Sequence, residues 1–388
     1  MFSAIMSIWI EATSILMSLI MLIGTTFGLF VPATTTAAAD YYDSNVKNVI
    51  YMIGDGMGFN HLAKTSKEKE VDLVIDTFDI TGEAMTRSLT SSVTDSAASG
   101  TALATGTRTY NGAIGMYFTD PFGVISHPKN ITELCMDDGM LTGVITTDET
   151  SGATPSAFSA HSYDRGNTND ITDDQMISGI DLIWGAENGV ANEADAQANG
   201  YTYITSYDEM MALDEGSRSF AQFTNALWTL DRSDANTPTL EQMTMKAIDL
   251  LDDTEEGFFL MVEGAHIDKH SHSNDAEAMK EAMLSFDNAI EAVLEYAQED
   301  GETLVVITAD HETGAITLTD GIYGFTSGSH SGVNVPIRVY GSEKLIYNKE
   351  TINNYEIPMR IAYILGFTEE QFPAEVKTDL GGSTDVNG

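Results

Sequence analysis

Basic residues are scarce in this chain. It has 18 lysines and arginines against 59 aspartates and glutamates, a formal net charge of −41 over 388 residues. A field of that sign repels phosphate backbones and anionic headgroups, which excludes nucleic acid and anionic membrane as general partners. An anionic small molecule would have to be met by concentrated local cations. Cysteine is scarcer still: Cys135 stands alone, so no intrachain disulfide can form. The fold must rest on its core and on any metals it binds. The N-terminus also lacks a basic segment, since the first basic residue is Lys47 and Glu11 precedes the apolar run from Ile15 to Val31. No fixed-period repeat is present.

What is present is a 43 % hydrophobic composition, enough for a substantial core. The excess of acid reads as a solvated surface, of the kind suited to a salty or extracellular setting. Residues 1–39 read as a signal peptide, with Ala37-Ala38-Ala39 before Asp40 as the cleavage site. An uncleaved N-terminal anchor is the alternative, because about 17 apolar residues just suffice to span a bilayer. Residues 40–388 are then expected to form a single domain, secreted or held in the cell envelope.

The remainder alternates between strand and helix patterns. Val49–Ile53, Gly143–Ile145, Phe258–Val262 and Leu304–Ile307 are short apolar runs of the kind found in buried parallel strands. Val335–Val339 carries Pro336 and reads as a more edge-like strand. Met279, Met283, Phe286, Ile290, Val293 and Ala297 recur at helical spacing, with Asn274 and Glu277 as a capping box ahead of them. Residues 166–240 read as loops with short helices rather than a second core. The fold class expected is an α/β three-layer sandwich around a large, mostly parallel sheet.

The stretch Val93–Gly100 carries the clearest chemistry. Ser96 stands between Asp95 and a run of small residues that opens a helix over Ser96–Thr105. The first turn of a helix has unpaired N–H groups on which an anion can rest. A hydroxyl placed there can attack phosphorus once a metal such as zinc strips its proton. Asp95 suits a helix N-cap, and could also orient an arginine.

Three strand ends deliver metal-type ligands: Asp55 after the first strand, Glu263 after Val262, and Asp310 with His311 after Thr308. In an open α/β sheet, ligands gather at such carboxyl ends. Gly54-Asp55-Gly56-Met57-Gly58 does not match a dinucleotide loop, because its glycine spacing is wrong and its Asp would repel pyrophosphate. Asp268 and His272 are four apart and share a helical face, an arrangement suited to zinc. His266 and His270 have the same spacing. His330 by itself carries no signal, and His61 and His127 read as structural.

These motifs together resemble the alkaline phosphatase family. The resemblance rests on Asp55-Gly56-Met57-Gly58, Thr94–Ser99, Ala153-Thr154-Pro155, Val262-Glu263-Gly264, Ile267-Asp268-Lys269, Thr308–Glu312 and His330-Ser331-Gly332. It implies two zinc ions and one magnesium around a serine nucleophile. One zinc would take Asp268, His272 and His330. The second would take Asp55, Asp310, His311 and the Ser96 oxygen. Magnesium would take Asp55, Thr154 and Glu263. Arg165 matches the family's phosphate-binding arginine, and Lys269 either adds charge toward phosphate through water or faces solvent.

The implied reaction is hydrolysis of small phosphate monoesters through a phosphoserine on Ser96, with water activated at zinc completing the cycle. A homodimer is implied as well. Gly152 departs from the pattern, since similar proteins commonly place Asp or His there beside magnesium. A weakly held third metal is therefore expected, with Gly152→Asp expected to tighten it. A phosphodiesterase or sulfatase of the same superfamily, or an envelope protein that binds metal without turnover, are the alternatives.

Overall fold

The computed structural model describes residues 37–118, 125–224, 227, 229–230, 236–252 and 254–372. The sheet strands include the apolar runs Asn48–Gly54, Phe258–Gly264 and Thr303–Thr308, buried along their whole length, and shorter strands that are only partly buried. In chain order these strands are β1 (Asn48–Gly54), β2 (Ile80–Met85), β3 (Leu141–Glu149), β4 (Leu182–Ala186), β5 (Thr202–Ile204), β6 (Ser219–Phe223), β7 (Phe258–Gly264), β8 (Thr303–Thr308), β9 (Val335–Tyr340) and β10 (Glu350–Asn353).

They form one ten-stranded sheet in the order β10-β2-β9-β8-β1-β7-β3-β4-β6-β5. Only β9 runs against its neighbours, being antiparallel to both β8 and β2. The remaining pairings are parallel. Two sets of helices pack on the sheet and complete a three-layer sandwich. One is built around α1 (Ser96–Thr105) and α2 (Ala153–Ala157), the other around α3 (Leu240–Leu251), α4 (His266–His272) and α5 (Ala276–Asp300).

The register sets the site. Ile53 on β1 lies level with Glu263 on β7 and Thr308 on β8, and Thr146 on β3 is level with Glu263. The carboxyl ends of four adjacent strands therefore finish at one height. The small residues of α1 let it approach closely: a Cβ on Gly100 would stand 3.3 Å from Thr154 Cα and 3.2 Å from Ala157 Cβ. That contact brings Ser96 and Thr154 to the same sheet edge.

Three sequence expectations change. Residues 166–240 add β4, β5 and β6 to the main sheet rather than forming only loops and short helices. Their polar residues are buried but paired: Trp184 Nε1 donates to Ser219 Oγ at 2.9 Å, and Gln222 Nε2 to Thr150 Oγ1 at 2.7 Å. The strand with Pro336 is internal, not at an edge. Its ladder to β8 begins only at Arg338, so the missing N–H of Pro336 breaks no rung on that side. The helix with Met279 and Phe286 is present as α5, but Asp275 is its N-cap, accepting from Ala278 N at 3.2 Å. Asn274 instead adopts a left-handed φ of 56° and ends the preceding turn.

Candidate active site

Ser96 is the first residue of α1 and is buried. Asp95 caps the helix by accepting from Ala98 N at 2.9 Å. Its other oxygen accepts from Gly112 N at 2.9 Å and from Arg165 Nη1 at 3.2 Å. Both readings of Asp95 therefore hold in one side chain. Arg165 is exposed, and its own N–H donates to Gly112 O at 2.8 Å, so it stands tethered beside Ser96 with free guanidinium donors toward solvent.

Ser96 Oγ is 3.2 Å from His311 Nε2. The same Nε2 lies 3.1 Å from Asp310 Oδ2 and 3.6 Å from Asp55 Oδ1. His311 Nδ1 is 3.2 Å from Thr313 Oγ1, whose hydroxyl donates to Asp268 Oδ1. A hydroxyl that has given its proton to Asp268 must accept from Nδ1–H, which leaves the Nε2 lone pair facing the three oxygens.

The other two histidines are fixed in the same way. His272 Nδ1 is 2.8 Å from Gly328 O, and His330 Nδ1 is 2.9 Å from Thr94 O. A carbonyl only accepts, so both Nδ1 atoms carry protons and both Nε2 atoms are available as ligands. Those two Nε2 atoms face each other at 3.0 Å, with Asp268 Oδ2 3.3 Å from His272 and Oδ1 3.6 Å from His330. His330, which carries no signal by itself in the sequence, gains its place from a short ladder. His330–Ser331 pairs antiparallel with Glu312–Thr313, which holds His330 against the His311 segment.

The carboxylates are crowded and short of donors. Asp55 Oδ1, Asp310 Oδ2 and Thr154 Oγ1 are buried without a hydrogen-bond partner. Burial, and then the charges of Asp310, Asp268 and Glu263, push the Asp55 carboxyl well above the usual range. Burial, then Asp148, pushes Glu263 up to about 8, although the Thr146 hydroxyl donating to it works the other way. Burial works against ionisation of Asp268, but His272, His311 and Thr313 outweigh it and hold this carboxyl low. The hydrogen bond to Asp268 raises His272 to about 9 against the effect of its burial.

Buried carboxylates without enough donors, opposite imidazole lone pairs, are costly unless cations occupy the space between them. Among the described residues, Asp268, His311 and His330 offer ligand atoms within 4.8 Å of one another, and so do Asp55, Asp310 and His311. The donor set fits borderline metals on the imidazole side, and a hard cation where Asp55, Thr154 and Glu263 offer only oxygen.

Every candidate ligand read from the sequence reaches this edge. Gly56 shows why glycine is needed beside Asp55. Its φ is +74°, its N–H donates to Asp310 Oδ1 at 3.0 Å, and a Cβ would come within 2.8 Å of Asp268 Cα. Lys269 does not reach toward Ser96; its Nζ donates to Asp148 Oδ1. Burial opposes the charge of Lys269, yet Asp148 outweighs it and raises the lysine pKa. His266 faces Thr147 Oγ1 at 3.3 Å, and burial drops it to about 3. His61 accepts from Gly58 N at 3.1 Å and bonds Ser271 Oγ at 3.0 Å, so it braces α4 as a neutral ring. Sequence reasoning missed Thr146, Asp148 and Thr313. The run Thr146-Thr147-Asp148 directly after Gly143–Ile145 was the available signal for two of them.

A family model described as alkaline phosphatase matches residues 46–183 and 185–325. The chain is 36 % identical over 321 residues to alkaline phosphatase 4 of Bacillus subtilis, covering 76 % of this chain and 68 % of that protein. It spans 64 % of alkaline phosphatase 3 from the same organism, at 35 % identity over 305 residues and 73 % of this chain. The solved alkaline phosphatase of the Antarctic bacterium TAB5 superposes with a TM-score of 0.71 at 30 % identity, over 84 % of this chain and 99 % of that one. A variant of that protein, solved with Mg bound in its M3 site, gives a TM-score of 0.70 at the same identity and coverage. The chain belongs to the alkaline phosphatase family, hydrolases of phosphate monoesters.

Proposed function

We propose that this chain hydrolyses phosphate monoesters through a covalent phosphoserine on Ser96, with two zinc ions and one magnesium as cofactors. The observation that carries the reading is the position of Ser96. Its hydroxyl lies at a helix N-terminus, 3.2 Å from a ligand-competent imidazole nitrogen, with Arg165 tethered through Asp95 next to it. Asp268, His272 and His330 would hold one zinc. Asp55, Asp310 and His311, with Ser96 Oγ, would hold the second. Asp55, Thr154 and Glu263 would hold magnesium. When bound, these ions would lower the pKa of the Ser96 hydroxyl and neutralise charge on the attacking and departing oxygens.

The protein's own part is positioning. Arg165 pairs two phosphoryl oxygens through its planar fork, and Asp95 keeps that fork aimed. The first N–H groups of α1 face the same charge. Ser96 Oγ bonds to phosphorus as the ester P–O bond breaks and the alcohol leaves. Water then cleaves the phosphoserine, returning the hydroxyl and releasing inorganic phosphate.

Ser96→Ala should lower kcat by at least about 10³-fold on a monoester, as for other enzymes stripped of their nucleophile, with the other ligands of both zinc sites left in place. Wild-type turnover in that variant overturns the reading. Assay of a diester alongside separates the phosphodiesterase alternative, which predicts the diester as the better substrate.

We also propose that residues 1–39 form an export signal and residues 40–388 the single catalytic domain. Residues 1–36 lie outside the described residues. Ala38 is buried in a short helix, Ala37–Tyr41, and donates to Glu369 Oε1 at 3.3 Å. Among the described residues, no helix is long and apolar enough to cross a membrane. Mass spectrometry of the exported protein's N-terminus tests cleavage after Ala39. A homodimer is the assembly we infer from the family, and light scattering in high salt tests it.

A further inference from the structure

We propose that Asp148 is the positioning residue of the magnesium site, supplying from the end of β3 the carboxylate that position 152 lacks. The inference rests on the reading of Asp55, Thr154 and Glu263 as magnesium ligands. Gly152 precedes α2, which carries Thr154, and its N–H closes a turn onto Glu149 O at 2.8 Å. That turn folds Asp148 back over it. A Cβ on Gly152 would stand 2.6 Å from Asp148 Oδ2, 2.9 Å from its Cγ and 3.0 Å from Glu149 O. The φ of Gly152 is −54°, which any residue adopts, so space rather than backbone conformation demands glycine here.

The Asp148 carboxylate is held on its far side. Oδ1 accepts from Lys269 Nζ and from Glu149 N at 2.7 Å. The backbone N–H of Asp148 donates to Thr146 Oγ1 at 2.8 Å, and the Thr146 hydroxyl donates to Glu263 Oε2. One hydrogen-bonded chain therefore runs from Lys269 through Asp148 and Thr146 to Glu263. A cavity of about 370 Å³ lined by Thr147, Asp148, Glu149, Glu187, His266 and Lys269 adjoins it, with room for water beside the carboxylate. Magnesium keeps several of its waters and tolerates little departure from octahedral geometry, so a fixed carboxylate facing those waters sets its affinity. On this reading Lys269 acts by holding Asp148, and the glycine marks a carboxylate moved four residues upstream rather than one lost.

The test is calorimetric titration of magnesium into zinc-loaded protein, with zinc content measured by mass spectrometry. Asp148→Ala should weaken magnesium binding by about 10–100-fold, the usual cost of losing an outer partner, with zinc content unchanged. Gly152→Asp alone should also weaken it, by expelling Asp148 from its place. The double variant Asp148→Ala with Gly152→Asp should recover most of the loss. Asp148→Asn, which preserves shape, guards against misfolding and should still lose affinity. Wild-type affinity in Asp148→Ala and Asp148→Asn overturns the proposal alone, as does tighter binding in Gly152→Asp. No magnesium uptake by the wild type would instead overturn the magnesium reading on which it stands.

Discussion

On the imidazole side of the site, each ligand is fixed by a bond outside the cluster; on the carboxylate side, almost none is. His272 and His330 give Nδ1–H to the backbone carbonyls of Gly328 and Thr94, and His311 gives its Nδ1–H to Thr313. Their Nε2 atoms are aimed before any ion arrives. Asp55 Oδ1 and Thr154 Oγ1 have no hydrogen-bond partner, and Glu263 has the single donor Thr146. The first side is preorganised by two main-chain carbonyls and the Thr313 hydroxyl, the second by a short relay of side chains. Preorganised ligands lose less freedom on binding, so the imidazole side should hold its metal more tightly and survive substitution of its neighbours better.

The largest effect that could break this comparison is at Arg165, which belongs to neither side. Arg165→Ala should raise the Ki for inorganic phosphate by about 10–100-fold, the value of one or two charge-assisted hydrogen bonds at roughly 1.5–3 kcal/mol each. Both metal contents should stay at wild type. An unchanged Ki would remove Arg165 from the site. Thr313→Val should cost about 10-fold or more in zinc affinity, because it strips the acceptor from His311 and the donor from Asp268 in one step. Competition against a chelator reads this directly. Thr146→Val sharpens the contrast: magnesium affinity should fall by about 10-fold while zinc competition is unmoved. Loss of zinc in Thr146→Val, or of magnesium alone in Thr313→Val, would mean that the two sides are not separately supported.

The smallest effect is global. At a net charge of −41 the surface repels itself. Screening lengths fall from about 10 Å at about 0.1 M salt to about 3 Å at about 1 M. The melting temperature should rise across that range in sodium chloride; a flat or falling profile removes the case for a salt-adapted surface.

The imidazole side was legible in the sequence because its spacing is local. Asp268 and His272 need only one helical turn, and Asp310-His311 only a strand end. His330 became meaningful only beside the other motifs, because the two-residue ladder that places it has no hydrophobic pattern. At Gly152 the sequence shows only a missing side chain. A sequence records that position 152 has no side chain, not that a turn brings Asp148 into its space. The strands β4 to β6 are hidden in the sequence for a related reason: Ser219 and Gln222 look solvent-facing, and only the fold brings Trp184 and Thr150 to satisfy them.

Acid quench of a turnover with a ³²P-labelled phosphate monoester, followed by peptide mapping, tests the central claim most directly. Label on the peptide that contains Ser96, absent from Ser96→Ala, is the predicted result. Label on another residue, or a wild-type enzyme that turns over the monoester rapidly without accumulating any under acidic quench, would contradict it.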